Sequence, residues 1–184
     1  MIEMPRNFED DFRTFVDLHN YYRRLGGAET HWFFVEAEKA LRHDLYIAAV
    51  LSFINGIEAS IRTNVMYVKG KFDEESMRKI DIMKNALLLE ARAIGMRVEL
   101  LAFPDEADFE EKLNTTGRKI RPVELVRVRN NLCHGNVFEY FTKVPDTEET
   151  IFTSECLRDL ALTIQGISQA WSKEVERFKK TQPS

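Results

Sequence analysis

The chain has 184 residues, of which 44% are hydrophobic and 30% charged, and a net charge of −4. That profile suits one domain with a substantial core and excludes both a disordered chain and a general coating protein for nucleic acid. No apolar signal segment lies in the first eleven residues, and no run nears the ~18 apolar residues of a membrane span, so a cytoplasmic protein without a membrane anchor is expected.

In chain order, Phe8, Phe12, Phe15, Val16, His19 and Tyr22 recur at helical intervals up to Gly26-Gly27, predicting a helix over 8–24. A second is predicted over 28–42, with Trp32, Phe33, Val35, Ala37, Ala40 and Leu41 as its apolar positions, and a short turn makes it an antiparallel neighbour of the third. The third opens on Asp44 as N-cap and reaches about Tyr67; Ile47, Val50, Leu51, Ile54, Ile57, Ile61 and Val65 share one face, the mark of a central core helix. Glu58 projects into the middle of that face. After Gly70-Lys71 a fourth helix is predicted from Asp73 to about Met96, then an extended joint over 100–104, a short acidic helix over 105–113 and a loop at 114–117.

Pro122 suits a helix start and Gly135 a helix end, so the segment between them reads as one helix of about three to four turns. At about 100° per residue, Leu125, Val126, Val128, Leu132 and Cys133 form one apolar arc with Arg129 inside it. Beyond it, residues 137–143 alternate aromatic and polar, and with 150–152 across Pro145-Asp146 they suit a small hairpin. Ser154 is then expected to cap a last helix reaching about Lys179. The expected architecture is all-α, an antiparallel helical bundle of about five to six helices in a single domain ordered over about 8–179. Cys133 and Cys156 form neither a zinc cluster nor a disulfide framework and read as reduced thiols.

Two charges of opposite sign therefore lie on core faces. Burying an unpartnered ion costs several kcal/mol, on the order of a domain's whole margin of stability. Glu58 and Arg129 are expected to meet, directly or through Asn55 or Arg62. Near Arg129, Asn130 and His134 are spaced i to i+4 on the adjoining face, with Arg127 and Asn131 close by. Arg129 and His134 diverge by roughly 140° on an ideal helix, so they converge only through arginine's reach, a loosened last turn or a second copy of the chain. Arg118, Lys119, Arg121, Arg127 and Arg129 fall within twelve positions opposed only by Glu124, which makes a local basic approach in an acidic chain.

The segment Arg129-Asn130-Asn131-Leu132-Cys133-His134, an Arg, a polar residue, three more and a His late in a helical chain, resembles the signature of the HEPN superfamily (higher eukaryotes and prokaryotes nucleotide-binding domains). The supporting features, a helix, a Gly directly after the His and the helices before it, span most of 8–179. The resemblance implies a metal-independent endoribonuclease: Arg129 stabilises the phosphate, Asn130 is its polar companion and His134 the acid/base, with no cofactor. Arginine stays cationic and offers a planar fork to phosphate oxygens, and histidine can hold or release a proton near neutrality. Arg127, Asn131, Arg121 and Lys119 are the expected substrate-binding residues, and Glu58 a supporting one.

The family's sites commonly form between two motif helices of a homodimer, so a homodimer acting on RNA is expected, a toxin or defence effector with an antitoxin or conflict-system partner. One family pattern is absent: where a tyrosine two residues after the histidine takes a silencing nucleotide, this chain has Asn136. A non-catalytic helical module that binds a nucleotide, RNA or protein is the alternative, with Arg129 bridging Glu58 in the core and His134 favoured by the helix dipole. His19, His31 and His43 are scattered without a ligand pattern, which argues against a metal site.

Overall fold

A computed structural model of the chain describes residues 8–25, 30–70, 74–115, 120–145 and 147–182. It is an all-α helical bundle with one small hairpin. The elements are α1 (Phe8–Leu25), α2 (Thr30–Arg42), α3 (Tyr46–Lys69), α4 (Glu74–Lys79), α5 (Asn85–Ala93), α6 (Phe109–Leu113), α7 (Glu124–Cys133) and α8 (Arg158–Thr181), with short 3₁₀ turns at Val98–Leu101, Phe138–Tyr140 and Ser154–Leu157. Strands β1 (Thr142–Lys143) and β2 (Thr150–Ile151) pair antiparallel, Thr142 opposite Ile151 and Lys143 opposite Thr150.

Helix α3 is the axis of the molecule, packed against α2, α8, α5 and α7. Its Phe53, Ile54, Ile57, Ile61 and Val65 are fully buried with Phe34 of α2, Leu87 and Leu88 of α5, and Trp171 and Val175 of α8. Two polar side chains caught in this core are satisfied: Trp171 Nε1 donates to Ser60 Oγ at 2.8 Å, and Ser60 donates on to Ile57 O at 2.7 Å. Gly56 permits the closest approach of α2, because a Cβ there would lie 2.7 Å from two carbons of the Phe34 ring.

Several expectations are corrected. Asp44 does not cap α3; it turns the chain at φ 57°, which a short polar side chain tolerates, and its carboxylate accepts the Tyr46 hydroxyl at 2.7 Å. The Tyr46 amide is instead taken by Ser154 Oγ at 3.2 Å, so Ser154 serves the start of α3, and Thr153 caps the 3₁₀ turn that precedes α8. The single helix predicted over 73–96 is two, α4 and α5. Ile80 and Met83 keep the apolar rhythm across the break, while Lys84 is extended and releases Asn85 to bond elsewhere. The joint at 100–104 begins as a 3₁₀ turn, and only 109–113 of the acidic helix is helical. Trp32 and Phe33 face outward, as does Ile47, because Phe34, Ala37 and Ala40 occupy the inner stripe of α2. Gly26-Gly27, Asp73, Arg118 and Lys119 lie outside the described residues.

Candidate functional site

Helix α7 is held at its start by two side chains from distant parts of the chain. Asn85 Nδ2 donates to Lys112 O and Arg121 O, both at 2.9 Å, and its Oδ1 accepts from Val123 N at 3.1 Å. The buried Glu106 carboxylate accepts from Glu124 N at 2.7 Å and pairs with Lys112 at 3.1 Å, so a negative charge sits at the positive end of α7. The other end closes as expected around Gly135. With φ 70° at that glycine, Asn136 N donates to Asn131 O at 2.8 Å and Gly135 N to Leu132 O at 3.4 Å, the paired bonds of a Schellman turn. His134 is thereby the last, half-helical residue of α7.

Arg129 and Glu58 meet. Arg129 Nη2 lies 3.9 Å from Glu58 Oε2, and Arg62 Nη1 lies 3.6 Å from the other oxygen. Both separations exceed a hydrogen bond, so the carboxylate supplies charge to the two guanidinium groups without fixing either in a fork. Asn130 Oδ1 accepts from Arg129 Nη1 at 3.4 Å, and the buried Arg129 Nε has no hydrogen-bond partner among the described residues. The Arg129 side chain keeps 19% of its exposure, so it is reachable from solvent but anchored against α3. His134 is exposed, and its imidazole makes no hydrogen bond or ion pair among the described residues. Among the described residues no side-chain contact joins Arg129 to His134.

The expected substrate-binding cations are engaged. Arg127 bonds Glu124 through Nε at 2.8 Å and Nη2 at 2.5 Å, and also pairs with Glu139. Arg121 pairs with Glu111 at 2.9 Å and Asp108 at 2.8 Å. Asn131 Nδ2 donates to Glu139 Oε1 at 2.6 Å and its Oδ1 accepts from Asn136 at 3.2 Å. A phosphate at Arg127 or Arg121 would compete with two carboxylates each, so Arg129 and His134 are the groups of this set with capacity to spare. Cys133, expected on the core face, is exposed; α7 turns its Leu125, Val126 and Val128 inward, and its last turn is half-buried up to Leu132.

Glu139 is the residue that sequence reasoning missed, since its role depends on a chain reversal after Gly135. Burial would raise its carboxyl, but the neighbouring Tyr140 hydroxyl and the donors of Asn131 and Arg127 outweigh that and hold it below the usual range. The same carboxylate, after burial, raises the Tyr140 phenol. Among the described residues no group of three or more His, Cys, Asp or Glu is placed to hold a metal, and no helix is long and apolar enough to cross a membrane. The chain matches no family model, no curated protein and no solved structure. The likeness to HEPN domains therefore rests on the motif residues and their setting.

Proposed function

We propose that the protein is a metal-independent endoribonuclease of HEPN type, acting in the cytoplasm as a homodimer. The observation that carries the reading is the state of two groups on one helix. Arg129 is a half-buried cation with an unsatisfied Nε beside Asn130, and just beyond it His134 is an exposed imidazole that nothing else in the described chain uses. Cleavage needs the 2′-hydroxyl to attack the adjacent phosphorus as it loses its proton, while the 5′-oxygen leaves as it gains one, giving a cyclic phosphate end. His134 moves the proton, and Arg129 offsets the negative charge gathering on the phosphorane oxygens.

The two groups leave α7 on different sides, and a second copy across a two-fold axis supplies the missing half of the set. The last turn of α7 is open to such a partner, and Phe138, 76% exposed four residues after His134, provides an apolar contact beside it. An antitoxin that occupies this face would silence the site, in keeping with a toxin or defence effector.

A second reading is favoured by one observation, the approach of Arg129 to Glu58. In that reading the pair is a core bridge, and the protein is a helical module that binds a nucleotide, RNA or another protein without cleaving. Purified protein incubated with RNA in EDTA separates the two. Nuclease function predicts cyclic phosphate ends, and their loss in His134→Ala and Arg129→Ala proteins that keep the wild-type circular dichroism spectrum. Cleavage by both variants at the wild-type rate would remove the assignment. Unfolding of Arg129→Ala together with an inert His134→Ala would favour the core bridge.

A further inference from the structure

A cavity of the described structure lies away from α7. It lies between α1, α2 and α8, measures about 530 Å³ and has Glu38 in its wall. A volume of that size suits a small organic ligand. Glu38 is only 5% exposed, and among the described residues no ion pair reaches its carboxylate. A single amide serves both of its oxygens, Gln165 Nε2 at 2.9 and 3.1 Å. A carboxylate has about four acceptor positions, so most of its capacity in this cavity is unused. Burial accordingly raises the Glu38 carboxyl, against the opposing effects of Gln165 and Arg42.

The Tyr21, Ser168 and Ser172 hydroxyls do not supply the missing donors. Ser168 donates to Gln165 O at 2.8 Å, so the Tyr21 hydroxyl, 2.9 Å from Ser168 Oγ, is the donor in that pair and its proton is committed. Ser172 likewise donates to Gln169 O at 2.8 Å. These three hydroxyls thus add no free donor beside Glu38. Exposed cations stand at the edge of the cavity: Arg42, whose Nε is occupied by Glu38 O at 3.3 Å, and Lys173, which makes no ion pair among the described residues.

We propose that this cavity binds a small guanidinium-bearing zwitterion, with the guanidinium on the Glu38 carboxylate and an anionic group on Lys173. The charge pattern is that of a free amino acid. The site is independent of α7 and of any ribonuclease activity.

The test is an NMR titration of the full ¹⁵N-labelled chain with L-arginine, with agmatine, which lacks the carboxylate, and with L-citrulline, in which a neutral urea replaces the guanidinium. Arginine is expected to shift the Gln165 side-chain amide saturably, and citrulline to bind at least about tenfold more weakly, the usual scale of a charge-assisted hydrogen bond. Glu38→Gln keeps an acceptor for Gln165, and so the α2–α8 link, but loses the charge; it should weaken arginine binding about 10- to 100-fold while the spectrum stays folded. Lys173→Ala should weaken arginine and leave agmatine unchanged. The site is overturned if arginine produces no saturable shift at Gln165, if citrulline binds as well as arginine, or if Glu38→Gln binds like wild type. Equal arginine affinity in Lys173→Ala overturns the anionic end.

Discussion

Glu58 and Arg129 can be tested as a coupled pair by neutralising each. At their 3.9 Å separation, an effective dielectric of about 20 gives roughly 4 kcal/mol of gross attraction. Much of this is offset by desolvation of two groups whose side chains keep only 11% and 19% of their exposure, and Arg62 at 3.6 Å shares the same carboxylate. Glu58→Gln and Arg129→Gln should therefore each destabilise by about 1–3 kcal/mol, with a coupling of about 1–2 kcal/mol between them. Urea denaturation of wild type, both single variants and the double variant yields that coupling from four midpoints and slopes. The double variant should be more stable than the sum of the single losses implies, because neither Glu58 nor Arg129 is then left charged without the other. Additivity to within about 0.5 kcal/mol would mean that the two groups do not sense each other. The account of why an arginine is tolerated on the inner side of α7 would then fail.

Glu174 should govern part of the acid limb of stability. Its side chain is fully buried and accepts from Arg97 N at 2.9 Å, Arg97 Nε at 2.7 Å and Arg177 Nε at 2.7 Å. Burial pushes the carboxyl up, but the Arg177 and Arg97 donors overcome this and lower it. Its contribution is thus present above the ordinary glutamate range and lost as pH falls through the lowered folded value, so Glu174→Gln should flatten the fall in Tm on acidification. Glu174→Ala should cost about 2–4 kcal/mol at neutral pH, below the full value of a buried pair because Arg97 is half in water; an unchanged melting curve would refute this. Gly56→Ala sets a helix-propensity gain of about 1 kcal/mol against overpacking of about 1–3 kcal/mol on the buried Phe34 ring, so a net loss is expected in urea unfolding. Phe34→Leu in the same chain should recover part of that loss, and a Gly56→Ala protein as stable as wild type would mean that the α2–α3 contact yields freely.

What could be read from the sequence is what depends on neighbours along the chain. The apolar rhythm of α3 located the core, Gly135 located the end of α7, and two charges on inner faces pointed to each other across 71 positions of sequence because neither could be left alone. The basic segment misled for the complementary reason. Counting cations between 118 and 129 could not show that folding would bring Asp108 and Glu111 to Arg121, and Glu139 to Arg127. Asn85 was invisible in the same way: an unbroken apolar rhythm from Ile80 to Leu87 masked a change of direction whose purpose is to place one amide against the loop before α7. Ser154 looks like a local cap until the chain returns it to Tyr46.

The bond between Ser154 and Tyr46 links residues 108 positions apart, and the Trp171–Ser60 bond spans 111. During synthesis the first half of α3 leaves the ribosome long before either of these partners exists. The nascent chain must carry its most apolar helix without a finished first turn and without the helix that covers it. The motif segment emerges in that same interval, so the protein completes its fold only after the residues proposed to cut RNA have already been made.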